Sequence, residues 1–106
     1  MDNQLAVRFQ ALGDPTRLAV VEALLKGPAA VSDLAAPHAM ALPSFTKHLG
    51  VLELAGLIRS EKQGRVRTCR LAPDALDELH LWFADRRALW ARRLDNLDRH
   101  LRDAKE

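Results

Sequence analysis

An apolar residue recurs every seven positions near the end of the chain, at Leu76, Phe83, Trp90 and Leu97. That spacing keeps one face of an α-helix apolar over several turns. It predicts a last helix from Asp74 to about Arg102, roughly 45 Å long at 1.5 Å per residue. Leu94 and Leu101 thicken the stripe lower down, and Trp82 with Leu89 forms a second one. The whole chain has 106 residues, room for one domain. A domain this narrow does not cover so much apolar surface, so the overhang calls for a partner helix. The modest core of a short chain is a second reason to expect oligomerisation.

Hydrophobic residues make up 48% and charged residues 28%, a globular balance rather than a disordered one. No apolar run approaches the roughly 20 residues that span a bilayer, and no signal-peptide pattern opens the chain. The single cysteine, Cys69, excludes an internal disulfide and fits a reducing compartment. A cytoplasmic setting is expected, without a membrane. There is no glycine-rich phosphate loop, no cysteine–histidine pair in plausible context and no carboxylate cluster outside a solvated helix face, so an enzyme is not expected.

The net charge of +2 is unevenly spread. Residues 1–43 sum to −1, residues 72–106 to −1, and residues 44–71 to +4. Lys47, Arg59, Lys62, Arg65, Arg67 and Arg70 supply that excess against Glu53 and Glu61. A local positive patch attracts a polyanion, and nucleic acid is the usual one. A solvated surface strip has the same composition, so local structure has to decide.

Leu5, Phe9 and Leu12 at helical spacing predict a first helix over residues 3–12, with Arg8 and Gln10 outside the stripe. Gly13 ends it. Asp14-Pro15 is an N-cap followed by a proline suited to the first helical position. Leu18, Val21, Leu24 and Leu25 then form an apolar face before Gly27-Pro28. Ser32 is expected to cap a short third helix over residues 32–36, with Leu34 inward. A fourth helix follows over residues 41–56, its buried stripe made by Phe45, Leu49 and Leu52. Residues 57–62 and 66–71 predict two antiparallel strands joined through Gln63, Gly64 and Arg65, a hairpin with a basic tip.

Helix, helix, short helix, turn, helix and basic hairpin is the order of a winged helix-turn-helix. The major groove of B-DNA admits one α-helix. Ser44, Thr46 and Lys47 lie near the start of the fourth helix, small or polar as base contact requires, and Gly50 permits close approach. Lys62 to Arg67 would lie along a neighbouring backbone or reach into the minor groove.

The run FQALGDPTRL at residues 9–18 resembles the opening of the ArsR family of bacterial winged-helix repressors. The run PSFTKHLGVLELAGLI at residues 43–58 is similar to its recognition-helix signature, S-x-H-L-x-x-L-x-x-A-G-L-V, with Thr46 where serine is usual. Gln63-Gly64-Arg65 looks like the wing tip. The resemblance implies a fold that is mainly α with a small β-hairpin: five helices plus a two-stranded wing, dimeric through its terminal helices. Residues 1–73 would be the DNA-binding domain, residues 1–12 also contributing to dimerisation, and residues 74–106 the C-terminal dimerisation helix of the same domain. It implies a homodimeric repressor on a pseudo-palindromic operator in double-stranded DNA. DNA contacts would come from Ser44, Thr46, Lys47 and His48, and from Lys62, Gly64, Arg65 and Arg67. The dimer interface would use Leu5, Phe9, Leu76, Phe83, Trp90, Leu94, Leu97 and Leu101.

The tail, with Trp82, Arg86-Arg87, Trp90, Arg93-Leu94-Asp95 and Leu97, resembles a branch of that family without metal sites. Residues 31–36 hold no cysteine pair. Asp77 and His80 share one side of the last helix, while His100 lies twenty residues beyond His80. A zinc site needs three or four converging ligands, so no metal or cofactor is expected. Cys69 alternates with Leu71 on a strand and reads as a small buried hydrophobe rather than a redox switch. His48 either contacts a phosphate or hydrogen-bonds across the helix-turn-helix. Two alternatives stand beside the repressor. One is a winged helix used for protein contact without a DNA target. The other is a repressor with an intersubunit site for a metal or an unidentified small-molecule effector.

Overall fold

The computed structural model describes residues 3–105. The chain runs α1 (Asn3–Leu12), α2 (Pro15–Leu24), β1 (Ala29–Ala30), α3 (Val31–Ala35), α4 (Leu42–Leu54), β2 (Ile58–Gln63), β3 (Val66–Leu71) and α5 (Pro73–Lys105). Positions 1, 2 and 106, at the ends of the two expected regions, lie outside the described residues. The five helices and the hairpin fall where the sequence puts them. The sheet has one strand more than the two-stranded wing expected, in the order β1-β3-β2. Strand β1 pairs Ala29 with Cys69 and Ala30 with Thr68. Two alanines carry no alternation of apolar and polar side chains, so this strand left no periodic signal.

Asp14 caps α2 as expected: its carboxylate accepts from the Arg17 backbone N–H at 3.1 Å. Val20, Val21 and Leu24 form the buried face of α2. Leu18 and Leu25, expected inward, are 44% and 65% exposed. They lie seven residues apart on a different arc of the helix from the buried trio. Helix α3 starts one residue earlier than expected, with Ala30 as an extended N-cap and no side-chain cap. Ser32 is therefore inside the helix rather than its cap, because pairing of Ala29 and Ala30 with β3 fixes the entry. Leu34 is buried.

Helix α4 follows an extended Ala41, with Pro43 in its first turn. Phe45 and Leu52 are fully buried and Leu49 nearly so, which makes the predicted stripe. The helix ends in a Schellman motif. Gly56 N–H donates to the Glu53 carbonyl at 2.9 Å and Leu57 N–H to the Leu52 carbonyl at 3.0 Å. Gly56 has φ of 74°, a conformation open to glycine. The Ala55 carbonyl left over at this end accepts from Gln4 Nε2 at 2.9 Å and Arg8 Nε at 3.0 Å. Arg8, outside the apolar stripe of α1, is thus buried, at 9% exposure. A cation at a helix C-terminus also offsets the macrodipole. Leu5 and Phe9 are only half-buried.

Strands β2 and β3 pair from Ile58↔Leu71 to Gln63↔Val66. Gly64 and Arg65 alone form the loop. Gly64 has φ of 63° and Arg65 does not share a positive φ, the sign pattern of a type II′ turn. Ile58 and Cys69 face the core.

The chain divides into two compact units between Ala75 and Leu76. In the second unit α5 continues to Lys105. Leu79 is buried, and Phe83, Trp90, Leu94, Leu97 and Leu101 are each between 45% and 59% exposed. Trp82 meets Phe83 edge-on at 5.2 Å, and the Arg86 guanidinium sits over the Trp82 ring at 4.8 Å.

Replacing Arg8 by alanine removes a buried donor from the Ala55 carbonyl. Urea denaturation of Arg8→Ala is expected to show a loss of about 1–3 kcal/mol. A change within the noise of the measurement would mean that Gln4 alone satisfies this helix end.

Candidate nucleic-acid interface

Burial of Phe45, Leu49 and Leu52 turns the rest of α4 outward. Ser44, Thr46, Lys47, Val51 and Leu54 are exposed. Thr46 is not fully available to a base edge as a donor. Its hydroxyl donates to the Leu42 carbonyl at 2.9 Å, leaving an oxygen acceptor and a methyl group outward. Ser44 and Lys47 have no such engagement among the described contacts. Val51 and the 85%-exposed Leu54 extend this face beyond the residues sequence reasoning selected. Apolar contact of this kind suits a thymine methyl group.

His48 lies across the helix-turn-helix. Arg17 Nη1 is 3.1 Å from His48 Nδ1, and Asp14 Oδ2 is 3.7 Å from the same nitrogen. Arginine has only donors, so in this contact Nδ1 is the acceptor and Nε2 is the nitrogen left for a proton. Its Nε2 side points away from this contact while Nδ1 holds the ring across the helix-turn-helix. Arg17 also donates through Nε to the Ala11 carbonyl at 2.6 Å and through Nη2 to the Gln10 carbonyl at 3.4 Å. One guanidinium therefore joins the end of α1, the start of α2 and the middle of α4. Sequence reasoning missed this role, although Arg17 lies in the run at residues 9–18.

The six basic residues of the 44–71 window are all exposed. They divide between α4 and the two faces of the hairpin. Lys62 and Arg67 are cross-strand partners on one face; Arg59 and Arg70 are partners on the other. Arg59 and Arg70 were noticed as charge but not as a facing pair. Arg67 is also held locally: its Nη1 donates to Ser60 Oγ at 2.9 Å, and Ser60 Oγ donates to Glu53 Oε1. Thr46 and Arg67 line one groove of about 400 Å³ with Leu42, Gly50, Glu53 and Ser60. Arg65 and Arg67 line another beside it, again with Leu42. The start of α4 and the wing tip thus border continuous concave ground, while Ser44, Lys47 and His48 line neither groove.

Two titrations are shifted. The capping hydrogen bond from the Arg17 backbone holds the Asp14 carboxyl below the usual aspartate range, against desolvation that raises it; the Arg17 charge and the Thr16 backbone N–H act with the cap. Burial pushes the Cys69 thiol up, and the charge of Glu53 adds to that, so Cys69 stays a protonated, enclosed thiol. Among the described residues no group of three or more His, Cys, Asp or Glu side chains converges on one point.

A helix with one face free beside a basic hairpin defines a winged helix-turn-helix DNA-binding protein. The pattern of a helix-turn-helix domain family matches residues 12–61. The HTH-type transcriptional regulator Rv2034 of Mycobacterium tuberculosis is 38% identical over 86 residues, covering 81% of this chain and 78% of that protein. The crystal structure of the ArsR family transcriptional regulator RHA00566 superposes with a TM-score of 0.78 at 52% identity, covering 84% of this chain and 92% of that one. The homodimeric winged helix-turn-helix DNA-binding domain of Mb0332 from Mycobacterium bovis superposes with a TM-score of 0.65 at 28% identity, covering 81% and 82%. The chain belongs to the ArsR family of helix-turn-helix transcriptional regulators. It is a DNA-binding regulator and not an enzyme.

The lowered Asp14 pKa gives a stability term with a definite sign. The term is present above the unfolded-state pKa and is lost as pH falls through the folded-state value. Asp14→Asn keeps an oxygen acceptor for the cap but cannot titrate. Thermal midpoints of the wild type should therefore fall more steeply than those of Asp14→Asn on acidification below the ordinary carboxylate range. Parallel curves would show that the charge at the cap is not linked to folding.

Proposed function

We propose that the protein is a repressor that binds a pseudo-palindromic operator as a homodimer, and so blocks a promoter by occupying it. Residues 1–73 read DNA, and residues 74–106 join two copies with help from residues 1–12. The exposed polar face of α4 beside a cationic hairpin carries this reading. Ser44, Thr46 and Lys47 address base edges, Lys47 first among them. His48 Nε2–H, Lys62, Arg65 and Arg67 address phosphates, and Gly64 shapes the turn that aims them. The homodimeric state of Mb0332 supports the assembly. So does the stripe of Phe83, Trp90, Leu94, Leu97 and Leu101 that α5 leaves exposed. Leu76, Leu5 and Phe9, half-buried already, border the interface we assign. Among the described residues no helix is long and apolar enough to cross a membrane. Promoter occupancy puts the work in the cytoplasm.

In a C2 dimer the two recognition helices enter successive major grooves about 34 Å apart. Binding followed by fluorescence anisotropy should weaken steeply with salt, log affinity falling by about 0.9 per decade for each phosphate neutralised. Lys47→Ala should cut the preference for operator over random DNA by about 1–3 kcal/mol, the value of a base contact. A flat salt response would remove the basic window from the contact surface, and equal losses on both DNAs would reduce Lys47 to a backbone contact.

Light scattering on the wild type should give twice the 11.8 kDa chain mass. Trp90→Ala should give monomers or unfolded chains. A stable dimer from that variant would place the interface elsewhere.

A further inference from the structure

Beyond Thr68, which is half-buried and pairs with Ala30 of β1, no side chain of the wing enters the core among the described residues: every residue from Glu61 to Arg67 is exposed. One polar connection spans the groove at this point. Ser60 Oγ donates to Glu53 Oε1 in the last turn of α4 and accepts from Arg67 Nη1 at 2.9 Å. Acid, hydroxyl and guanidinium come from α4, β2 and β3 in turn. We propose that Glu53, Ser60 and Arg67 form a relay that sets the angle of the wing against the recognition helix, and that Glu53 and Ser60 are positioning residues for operator recognition. The proposal rests on α4 and the wing being the DNA surface.

The lever explains why so small a contact matters. The wing tip starts four residues beyond Ser60, about 13 Å of strand. A rotation of about 10° at the relay moves a tip at that distance by roughly 2 Å, enough to slide the wing's cations along the backbone and shift the register of α4 on its bases without removing a phosphate contact. The relay is solvent-exposed, so it adds little to folding. Its loss should leave a folded protein with a less certain wing. Lys62 faces Arg67 across the strands, and the Ser60 hydroxyl, oriented by the Glu53 acceptor oxygen, ties Arg67 on the α4 side beside that like charge.

The test compares affinity for the duplex that the wild type enriches from a random library with affinity for a scrambled duplex, across a salt series. Circular dichroism melts accompany each variant. Ser60→Ala and Glu53→Ala should each lower the affinity ratio about fivefold, with the salt slope and melting midpoint unchanged. Glu53→Gln loses the charge but keeps the acceptor oxygen, and its ratio should stay near wild type. A wild-type ratio in both alanine variants overturns the relay. It is overturned equally if Arg67→Ala lowers the salt slope by about one phosphate and leaves the ratio intact, because Arg67 would then be a backbone contact only. If the wild type enriches no duplex at all, the DNA surface itself is misassigned and the relay falls with it.

Discussion

Recognition helix α4 must satisfy two opposed demands, and the burial of Phe45, Leu49 and Leu52 settles both. These three side chains occupy one face of the helix with at most 6% exposure. A helix fixed along one face presents the opposite one, and here that face carries Ser44, Lys47, Val51 and Leu54. Burying a side chain of this size is worth about 1.5–3 kcal/mol relative to leaving it exposed. The stripe therefore fixes the rotation of α4 about its own axis far more firmly than any surface contact does.

The stripe leaves polar groups of α4 to be satisfied elsewhere, and two arginines meet them. Arg8 closes the C-terminal end of α4 through the Ala55 carbonyl, and Arg17 reaches His48 in its middle. Each reaches α4 from a helix earlier in the chain and satisfies carbonyls or nitrogens left open where helices end. Charge around α4 and the hairpin is thus of two kinds. Arg8 and Arg17 are spent inside the fold, whereas Lys47, Arg65 and the wing pairs face solvent.

Much of this was legible in the sequence, and the parts that were not share a cause. The α4 stripe, the Asp14 cap, a turn glycine at the wing tip and the inward Cys69 all follow from spacing or from one residue's backbone needs. Periodicity also revealed the apolar stripe that α5 leaves exposed. Strand β1 was not visible, because two alanines have no pattern. The inward turn of Arg8 was not visible either, since a cation at that position reads as solvent-facing until a helix end is placed against it. Leu18 and Leu25 failed in the opposite direction: apolar character suggested a core face that the helix directs outward. The donor of Thr46 and the tie on Arg67 depend on neighbours from the preceding turn and from another strand. Leu42 lies one turn before Thr46 in the same helix, but spacing does not select the rotamer that bonds back to it, and Ser60 meets Arg67 only once the strands pair.

The central claim is that two copies present matched α4 faces to one duplex. The most direct measurement is the consensus that the purified protein selects from a random DNA library. The account predicts two inverted half-sites whose centres lie about 10–10.5 base pairs apart. A single asymmetric site, or no enriched sequence, would contradict it.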